Sequence, residues 1–181
     1  AKRLQDQIID ILRYIDSSQL IQQQIAKFPL VQLPDLLNQI TTEVDIQPVI
    51  LNMPETLNKL SLAISNQVIE MIMRELFTNA KKFHPHNLPT IDITLTPKAA
   101  DKIILAVRDD GRHLSPEELS KLGIPFYQQE KYFTGEVKGM GLGLAMMTKL
   151  VWSCGGHYQL SNRTDSPGLL IEFVLPVLQS T

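Results

Sequence analysis

The sequence is poor in the residues that would build a disulfide framework, a metal cluster or a membrane span. Its 181 residues include one cysteine, Cys154, which excludes an internal disulfide and a cysteine-rich metal site. Cys154 follows Trp152 in an apolar run, which favours a buried structural thiol over a nucleophile. No stretch approaches the roughly 18 continuous apolar residues of a transmembrane helix, and the charged, glutamine-rich start is unlike a signal peptide. We therefore expect a cytoplasmic protein without direct membrane contact.

Positively and negatively charged residues are nearly balanced in number. The chain carries 17 Lys and Arg against 19 Asp and Glu, for a net charge of −2, so a nucleic-acid-binding surface is not expected. The apolar fraction of 44% is ordinary for a globular protein. Because the sequence begins inside a helical pattern, we also expect it to be part of a longer protein.

Residues 1–28 predict an amphipathic helix. Apolar side chains recur at three- and four-residue spacing at Leu4, Ile8, Ile11 and Ile15. A single helix cannot bury such a stripe on itself, so a partner surface is implied. That surface is either a partner helix in a dimerisation stalk or the domain to which the helix itself belongs.

The rest of the chain alternates helical and strand patterns. A short helix is predicted near Pro34, a short strand at Val49–Leu51 and a long helix from Pro54 to Phe83. Alternating apolar residues predict strands in "TIDITLTP" and "KIILAVRDDG". Ser115, with Pro116 and Glu118, predicts a helix start. A helix from Leu142 to about Ser153 and strands in "GGHYQLSN" and "GLLIEFVLP" follow. This order predicts one helical layer on a largely antiparallel sheet.

Three short stretches carry polar residues where chemistry is expected. In "RELFTNAKKF", Glu75 and Asn79 share a helix face, which suits a hard cation or a positioned water, and Lys82 could meet a phosphate. In "VRDDGRHLS", Asp109 ends an apolar strand and could accept a hydrogen bond from an amine such as that of adenine. The alternatives are a solvated helix face for the first stretch and a surface turn for the second.

The third stretch, "VKGMGLGLAMMTKLV", places Gly139, Gly141 and Gly143 just before a helix. Glycines there allow backbone N–H groups to approach an anion at the helix N-terminus. The spacing differs from the dinucleotide fingerprint and from the P-loop. A flexible hinge is the alternative.

Together and in this order, the three stretches resemble the ATP-binding catalytic domain of sensor histidine kinases, of the GHKL or Bergerat-fold ATPase superfamily. "ELFTNAKKF" is similar to the N box, "DDGRHLS" to the first glycine box, "GIPFYQQE" to the start of the lid and "GMGLGLAM" to the second glycine box. The resemblance covers roughly residues 45–177. It implies an α+β fold, a Bergerat-type two-layer sandwich with a mostly antiparallel mixed sheet and helices on one face, preceded by a long amphipathic helix.

The resemblance also implies roles for individual residues. Asn79 would hold the Mg²⁺ that bridges the phosphates, and Glu75 would assist its water shell or a proton transfer. Lys82 would reach phosphate oxygens, and Asp109 would receive the adenine amino group. The other implied ATP contacts are Phe83, Gly111, His113, Phe126, Gly139, Gly141, Leu142, Gly143 and Leu144.

The chain departs from the family pattern at the first glycine box and near the last strand. Asp110 stands where Asn is common, which adds negative charge near the nucleotide. His113 stands where a second glycine is expected, and it would be strained if the backbone there needs a positive φ. Leu169 and Leu170 occupy positions where threonine is common. These changes are expected to weaken ATP binding.

The implied organisation has three parts. Residues 1–28 would be a partial dimerisation and phosphotransfer helix, residues 29–44 a linker and short helix, and residues 45–181 the catalytic domain. The parent protein would form a homodimer through the N-terminal helix and pass the γ-phosphoryl of ATP to a histidine, then to a response regulator receiver domain.

The accepting histidine is not expected in this chain. All four histidines, His84, His86, His113 and His157, fall inside the ATPase region and none matches the acceptor motif. The chain alone is therefore not expected to autophosphorylate. His84 and His86 flank Pro85, where a solvated loop is favoured over a metal site. The alternative functions are a nucleotide-binding pseudokinase or dimerisation scaffold, and a serine kinase of the anti-sigma type.

Overall fold

Apolar residues at helix spacing and at strand spacing place one hydrophobic core between a sheet and a helical layer. The structure is a computed structural model, and it describes residues 26–122, 124 and 142–179. The amphipathic helix predicted near the N-terminus lies outside these residues. Among the described helices, none combines the length and apolarity that crossing a membrane requires.

Within the described residues, four α-helices form the helical layer and its flanks. They are α1 (Leu33–Val44), α2 (Asn66–Phe83), α3 (Pro116–Lys121) and α4 (Gly143–Ser153). Two 3₁₀ helices, Leu30–Gln32 and Glu55–Lys59, lie in the connections. The start of α3 is the predicted one: the Ser115 hydroxyl accepts from Glu118 N, and the Glu118 carboxylate accepts from Ser115 N. This reciprocal pair satisfies two backbone donors that a helix start otherwise leaves without partners.

The described strands form a mixed, mostly antiparallel sheet. They are β1 (Phe28–Pro29), β2 (Val49–Asn52), β3 (Leu60–Leu62), β4 (Ile91–Ala99), β5 (Lys102–Asp109), β6 (His157–Asn162) and β7 (Leu169–Gln179). The order is β1-β3-β7-β5-β4-β2, and β6 pairs with the first half of β7. Among the strand pairs that the structure describes, only β2–β4 is parallel. The predicted α+β sandwich is confirmed.

The prediction of one long helix from Pro54 is wrong. Residues 55–59 form a 3₁₀ helix, and Leu60–Leu62 form β3, which pairs with Val177–Gln179 of β7. The α-helix begins only after Ser65, whose hydroxyl accepts a hydrogen bond from Val68 N at 3.2 Å. The helical periodicity itself begins at Val68, so nothing local opposed a strand before it. Pairing with a distant strand decided the conformation.

The core is continuous across all the described helices except α3. Helix α2 buries one face, consisting of Val68, Ile69, Ile72, Met73, Leu76 and Phe77. Phe77 packs in the same core as the fully buried Phe173 of β7. Full burial of such a side chain stabilises the fold by about 1.5–3 kcal/mol. This face fixes the rotation of α2 and therefore the direction in which its polar face points.

Helix α1 belongs to the same core. Leu33, Leu37 and Ile40 are buried in it together with residues of α2. Charged groups add to this contact: Arg74 of α2 pairs with Glu43, and Lys81 Nζ donates to the carbonyl of Val44 at 2.8 Å. Residues 29–44, predicted as a linker and short helix, thus share the hydrophobic core. The division of the chain into three parts stays a prediction.

Several chain segments meet at one end of the sheet, around the candidate site residue Asp109. Strand β5 ends at Asp109, opposite Ile91, the first residue of β4. Strand β7 begins beside it, with Leu169 opposite Asn162, the last residue of β6. The loop that leaves α2 and the loop that joins β6 to β7 therefore both lie next to Asp109.

Candidate functional site

The polar face of α2 carries a coupled acid and amide. Glu75 and Asn79 are one helical turn apart, and Asn79 Nδ2 donates to Glu75 Oε1 at 2.6 Å. A carboxylate only accepts hydrogen bonds, so the amide nitrogen must face it and the amide oxygen points elsewhere. The pairing therefore turns Asn79 Oδ1 away from Glu75 and confirms that the two residues share a helix face, as the spacing predicted.

The N-terminus of α4 packs directly against Glu75. A Cβ placed on Gly143, the first residue of α4, would lie 1.6 Å from Glu75 Oε1. Only glycine allows this approach at the present position of the carboxylate. The N-cap residue Leu142 supplies no side-chain cap, and the start of a helix carries N–H groups without intrahelical partners and a partial positive charge. Glu75 therefore lies between Gly143, at the start of α4, and the amide of Asn79.

The acid and amide fit a hard cation that brings most of its own ligands. The described residues contain no group of three or more His, Cys, Asp or Glu side chains that could hold a metal. Mg²⁺ usually binds one or two protein oxygens and completes its octahedron with water and phosphate oxygens. Asn79 Oδ1, with Glu75 beside it, suits that pattern, but it does not form a closed protein cage.

Lys82 and Phe83 lie in the last turn of the same helix. Lys82 is half-buried, and its Nζ lies 4.8 Å from the centre of the Phe83 ring. This contact is a cation–π interaction, which holds the ammonium near the helix end. Phe83 is 41% exposed, so a planar or charged ligand could reach this corner of the domain.

Asp109 ends β5 with a carboxylate held on one oxygen. Oδ1 accepts from Gly111 N at 2.8 Å and from Leu169 N at 3.3 Å. Within the described part of the chain, Oδ2 is left for a ligand. Burial raises the pKa of Asp109, opposed by these two hydrogen bonds, while the Asp110 charge raises it and the Arg163 charge lowers it. Leu169 therefore contributes through its backbone, whatever its side chain.

The extra negative charge of Asp110 is engaged by neighbouring groups of the protein. Its Oδ1 accepts from Thr90 N at 2.8 Å and lies 3.5 Å from His84 Nε2. His84 follows α2, and its Nδ1 accepts from the backbone N–H groups of His86 and Leu88. Residues 85–88 are exposed, as expected of a solvated loop, but the His84 side chain itself is only 10% exposed. Asp110 and His84 together connect the end of α2 to the Asp109 strand.

His113 is not strained. Among the described non-glycine residues, positive φ occurs only at Asp45 and Asn87, so the backbone at His113 does not need glycine. Its Nε2 lies 3.1 Å from the carbonyl oxygen of Ser166 in the β6–β7 loop. The ring therefore bridges two segments where the family pattern has no side chain.

The remaining predicted contacts divide into two groups. Leu142 is 4% exposed, so its side chain is not placed to meet a ligand, and Leu144 is partly buried against the core. Phe126, Gly139 and Gly141 lie outside the described residues, and their roles stay predictions. Cys154 is half-buried, and burial raises the pKa of its thiol, which keeps it protonated and unreactive.

Sequence reasoning missed several residues that surround Asp109. Gly168 has φ of +118°, and a Cβ there would lie 2.0 Å from the carbonyl oxygen of Asp109. Arg163 donates to that same oxygen at 3.1 Å. The glycine before the last strand in "SPGLL" was an available signal for Gly168. Nothing in the sequence pointed to Arg163, because its partner is 54 residues away.

Comparison with known proteins gives the family of the chain. Residues 60–179 match the family model described as "Histidine kinase-, DNA gyrase B-, and HSP90-like ATPase". The chain is 30% identical over 166 residues to the sensor protein QseC of Escherichia coli K12, covering 90% of this chain and 34% of QseC. It is 30% identical over 121 residues to the histidine protein kinase DivJ of Caulobacter vibrioides, covering 66% of this chain and 19% of DivJ.

Solved structures give the same fold. The catalytic domain of the histidine kinase ThkA matches with a TM-score of 0.64 at 20% identity, covering 85% of this chain and 98% of that one. Full-length ShkA in complex with AMPPNP matches with a TM-score of 0.70 at 18% identity, covering 95% of this chain and 35% of that one. These identities are too low to carry more than the fold.

The chain belongs to the histidine kinase-, gyrase B- and HSP90-like ATPase family, and within it to the ATP-binding catalytic domains of sensor histidine kinases. It is a catalytic region of the two-component type. It spans about a third or less of the length of QseC and DivJ, so the activity and partners of a whole kinase are proposals for it.

Proposed function

We propose that this chain binds Mg·ATP and transfers its γ-phosphoryl group to a histidine on a helix that the chain lacks, for relay to a response regulator receiver domain. The observation that supports this most is the contact of Glu75 with both Asn79 and Gly143. It joins the predicted metal-binding amide to the start of the glycine-box helix. Phosphoryl transfer depends chiefly on such positioning and on charge neutralisation.

Each candidate site residue has a proposed role in ATP binding that follows from its chemistry. Asp109 Oδ2 accepts a hydrogen bond from the exocyclic amino group of adenine, and the N-terminal amides of α4 face the phosphates. Lys82 adds positive charge near the phosphates. Asn79 Oδ1 and Glu75 would hold the ion and its waters, and Mg²⁺ bound there would neutralise phosphate charge. Burial of Asp109 excludes water from the base, so its hydrogen bond discriminates more strongly than an exposed one.

The partners follow from the same family. A homodimer would form through the apolar seam predicted in residues 1–28, and the receiver domain would accept the phosphoryl group from the histidine. The match to QseC spans 90% of the chain and thus extends well beyond the ATPase segment at residues 60–179. This supports the proposal that the N-terminal part also belongs to a sensor kinase.

The direct test supplies the missing acceptor. A separate two-helix hairpin, which forms the dimerisation stalk of a sensor kinase and carries the accepting histidine, is incubated with this chain and γ-labelled ATP. Label that is stable in alkali and lost in acid is expected on the histidine, and Asn79→Ala should abolish it. Thr78→Ala, an exposed neighbour on the same helix turn, is the matched control and should label normally. No label on the hairpin with wild-type protein that binds ATP would contradict the kinase proposal.

A nucleotide-gated scaffold is the second candidate. It is favoured by His113, which fills a position where the family pattern has glycine and bridges to Ser166. Tight ATP binding without transfer, combined with a nucleotide-dependent change in association state, would support it. Acid-stable label on serine of a supplied protein would instead support the anti-sigma type of serine kinase.

A further inference from the structure

The loop from Arg163 to Gly168, here called the clamp loop, is closed on itself and pressed against Asp109. Arg163 N donates to Gly168 O at 3.0 Å, which closes the loop between β6 and β7. Gly168 then approaches the Asp109 carbonyl more closely than any residue with a side chain could. Leu169 N, the next donor along the chain, binds the Asp109 carboxylate at 3.3 Å. The base of the loop therefore contacts both the backbone and the side chain of Asp109.

The guanidinium of Arg163 is fixed from two sides. Its Nη1 donates to the Asp109 carbonyl at 3.1 Å, while Nε and Nη2 donate to the two carboxylate oxygens of Asp165 at 3.0 and 2.8 Å. The Arg163 side chain is 17% exposed. A planar group bound at both ends, and largely covered, has little freedom to move.

The far side of the clamp loop holds the segment that follows Asp109. His113 Nε2 lies 3.1 Å from Ser166 O. Next to it, the Asn162 side chain forms a pair of hydrogen bonds with Leu114, accepting from its N–H at 2.8 Å and donating to its carbonyl at 2.7 Å. The chain from Asp109 to Leu114 is therefore held at both ends by one hairpin.

We infer that Arg163 is a positioning residue for nucleotide selection: by binding the Asp109 carbonyl, it fixes the direction in which Asp109 Oδ2 meets the exocyclic amino group of the purine. This inference rests on the proposed binding of ATP. Oδ1 is already bound to Gly111 N and Leu169 N, so the side chain can rotate little once the backbone is held. Small errors in such geometry remove most of the benefit of a hydrogen bond.

The experiment compares ATP with inosine triphosphate, which has a carbonyl oxygen where ATP has the amino group. Dissociation constants for both nucleotides, with Mg²⁺, are measured by calorimetry for the wild type, Arg163→Gln, Arg163→Lys and Asp165→Asn. A hydrogen bond to a charged group predicts that the wild type prefers ATP by about ten- to a hundredfold. In Arg163→Gln we expect the preference to fall to about threefold or less, through weaker ATP binding, while the affinity for inosine triphosphate changes by less than about twofold.

Two variants separate positioning from folding. Arg163→Lys keeps one donor and should retain part of the preference. Asp165→Asn leaves Arg163 in place but loosens its other end, so an intermediate preference is expected even if Arg163→Gln does not fold. Lys121→Gln, which removes an exposed ion pair with Glu117 on α3, is the matched control and should leave the preference unchanged.

The outcomes distinguish this inference from the proposed function. A wild type that binds neither nucleotide overturns both. A wild type that prefers ATP, with Arg163→Gln and Asp165→Asn keeping the full preference, overturns the role of Arg163 alone. Equal loss of affinity for both nucleotides in Arg163→Gln also overturns it, because a general loss of structure would weaken both equally.

Discussion

Gly143 lies so close to Glu75 that a methyl group on its Cα would be 1.6 Å from Glu75 Oε1. The obstructing atoms are the end of a flexible side chain, so in Gly143→Ala the carboxylate should swing aside while α4 stays in place. The free energy of unfolding should change by less than about 1 kcal/mol, because alanine also favours the helix. Affinity for Mg·ATP should fall by about tenfold or more, since Glu75 no longer orients Asn79. Calorimetry and a thermal melt measure the two effects.

A double-mutant cycle is the control for Gly143→Ala. In a Glu75→Ala background the added methyl group has no carboxylate to displace, so Gly143→Ala should have little further effect on Mg·ATP affinity. Additive losses in the double variant would show that the two residues act independently, contrary to the geometry.

Asp109→Asn should change which purine is preferred. The asparagine can keep its oxygen on Gly111 N and Leu169 N and would then present an N–H group to the base. An N–H group suits the carbonyl of GTP rather than the amino group of ATP. The ratio of ATP to GTP affinity should therefore fall by at least about tenfold. Equal affinity of the wild type for the two nucleotides would refute the adenine role.

Acid should weaken ATP selection before ordinary carboxylates titrate. Burial raises the pKa of Asp109, so its charged acceptor is present above that raised pKa and is lost as pH falls through it. The preference for ATP over inosine triphosphate should decline over that range, and Asp109→Asn should show no such decline. For folding the sign is opposite: the folded state binds this proton more tightly than the unfolded chain, so protonation of Asp109 stabilises the fold. A preference that is flat with pH would count against an ionised acceptor.

Replacing His113 by glycine, the residue that the family pattern has at this position, should not stabilise the fold. Its φ is not positive, so glycine relieves no strain, removes the contact with Ser166 O and adds backbone freedom to the unfolded chain. His113→Gly should therefore lower the free energy of unfolding by roughly 1 kcal/mol. His113→Ala should lower it less. Denaturant unfolding of the three proteins gives the comparison, and a more stable glycine variant would show that histidine is strained after all.

Much of the fold followed from local pattern. The apolar spacing in α2, the alternation in β4 and the Ser115 cap were all correctly interpreted, because each depends on residues a few positions apart. The acid and amide of Glu75 and Asn79 were placed on one face for the same reason. Their hydrogen bond confirms that interpretation.

The failures share a different cause. Strand β3 was predicted as helix because its partner, Val177 to Gln179, is more than a hundred residues away in the chain. The partners of Asp110 and His113, which are Thr90 and Ser166, were not predicted because they lie 20 and 53 residues away in the chain. Arg163 was missed because its role depends on a hydrogen bond to the carbonyl oxygen of Asp109, which is far away in the sequence. Contacts of high sequence separation have no local signature.

The central claim is that Asn79 holds a divalent ion against the phosphates of ATP. Calorimetric titration with ATP, with and without Mg²⁺, tests it most directly in the wild type, Asn79→Ala and the control Thr78→Ala. We expect binding that depends on Mg²⁺ in the wild type and in Thr78→Ala, and a loss of at least about tenfold in Asn79→Ala without loss of fold. Unchanged Mg·ATP affinity in Asn79→Ala would contradict the account.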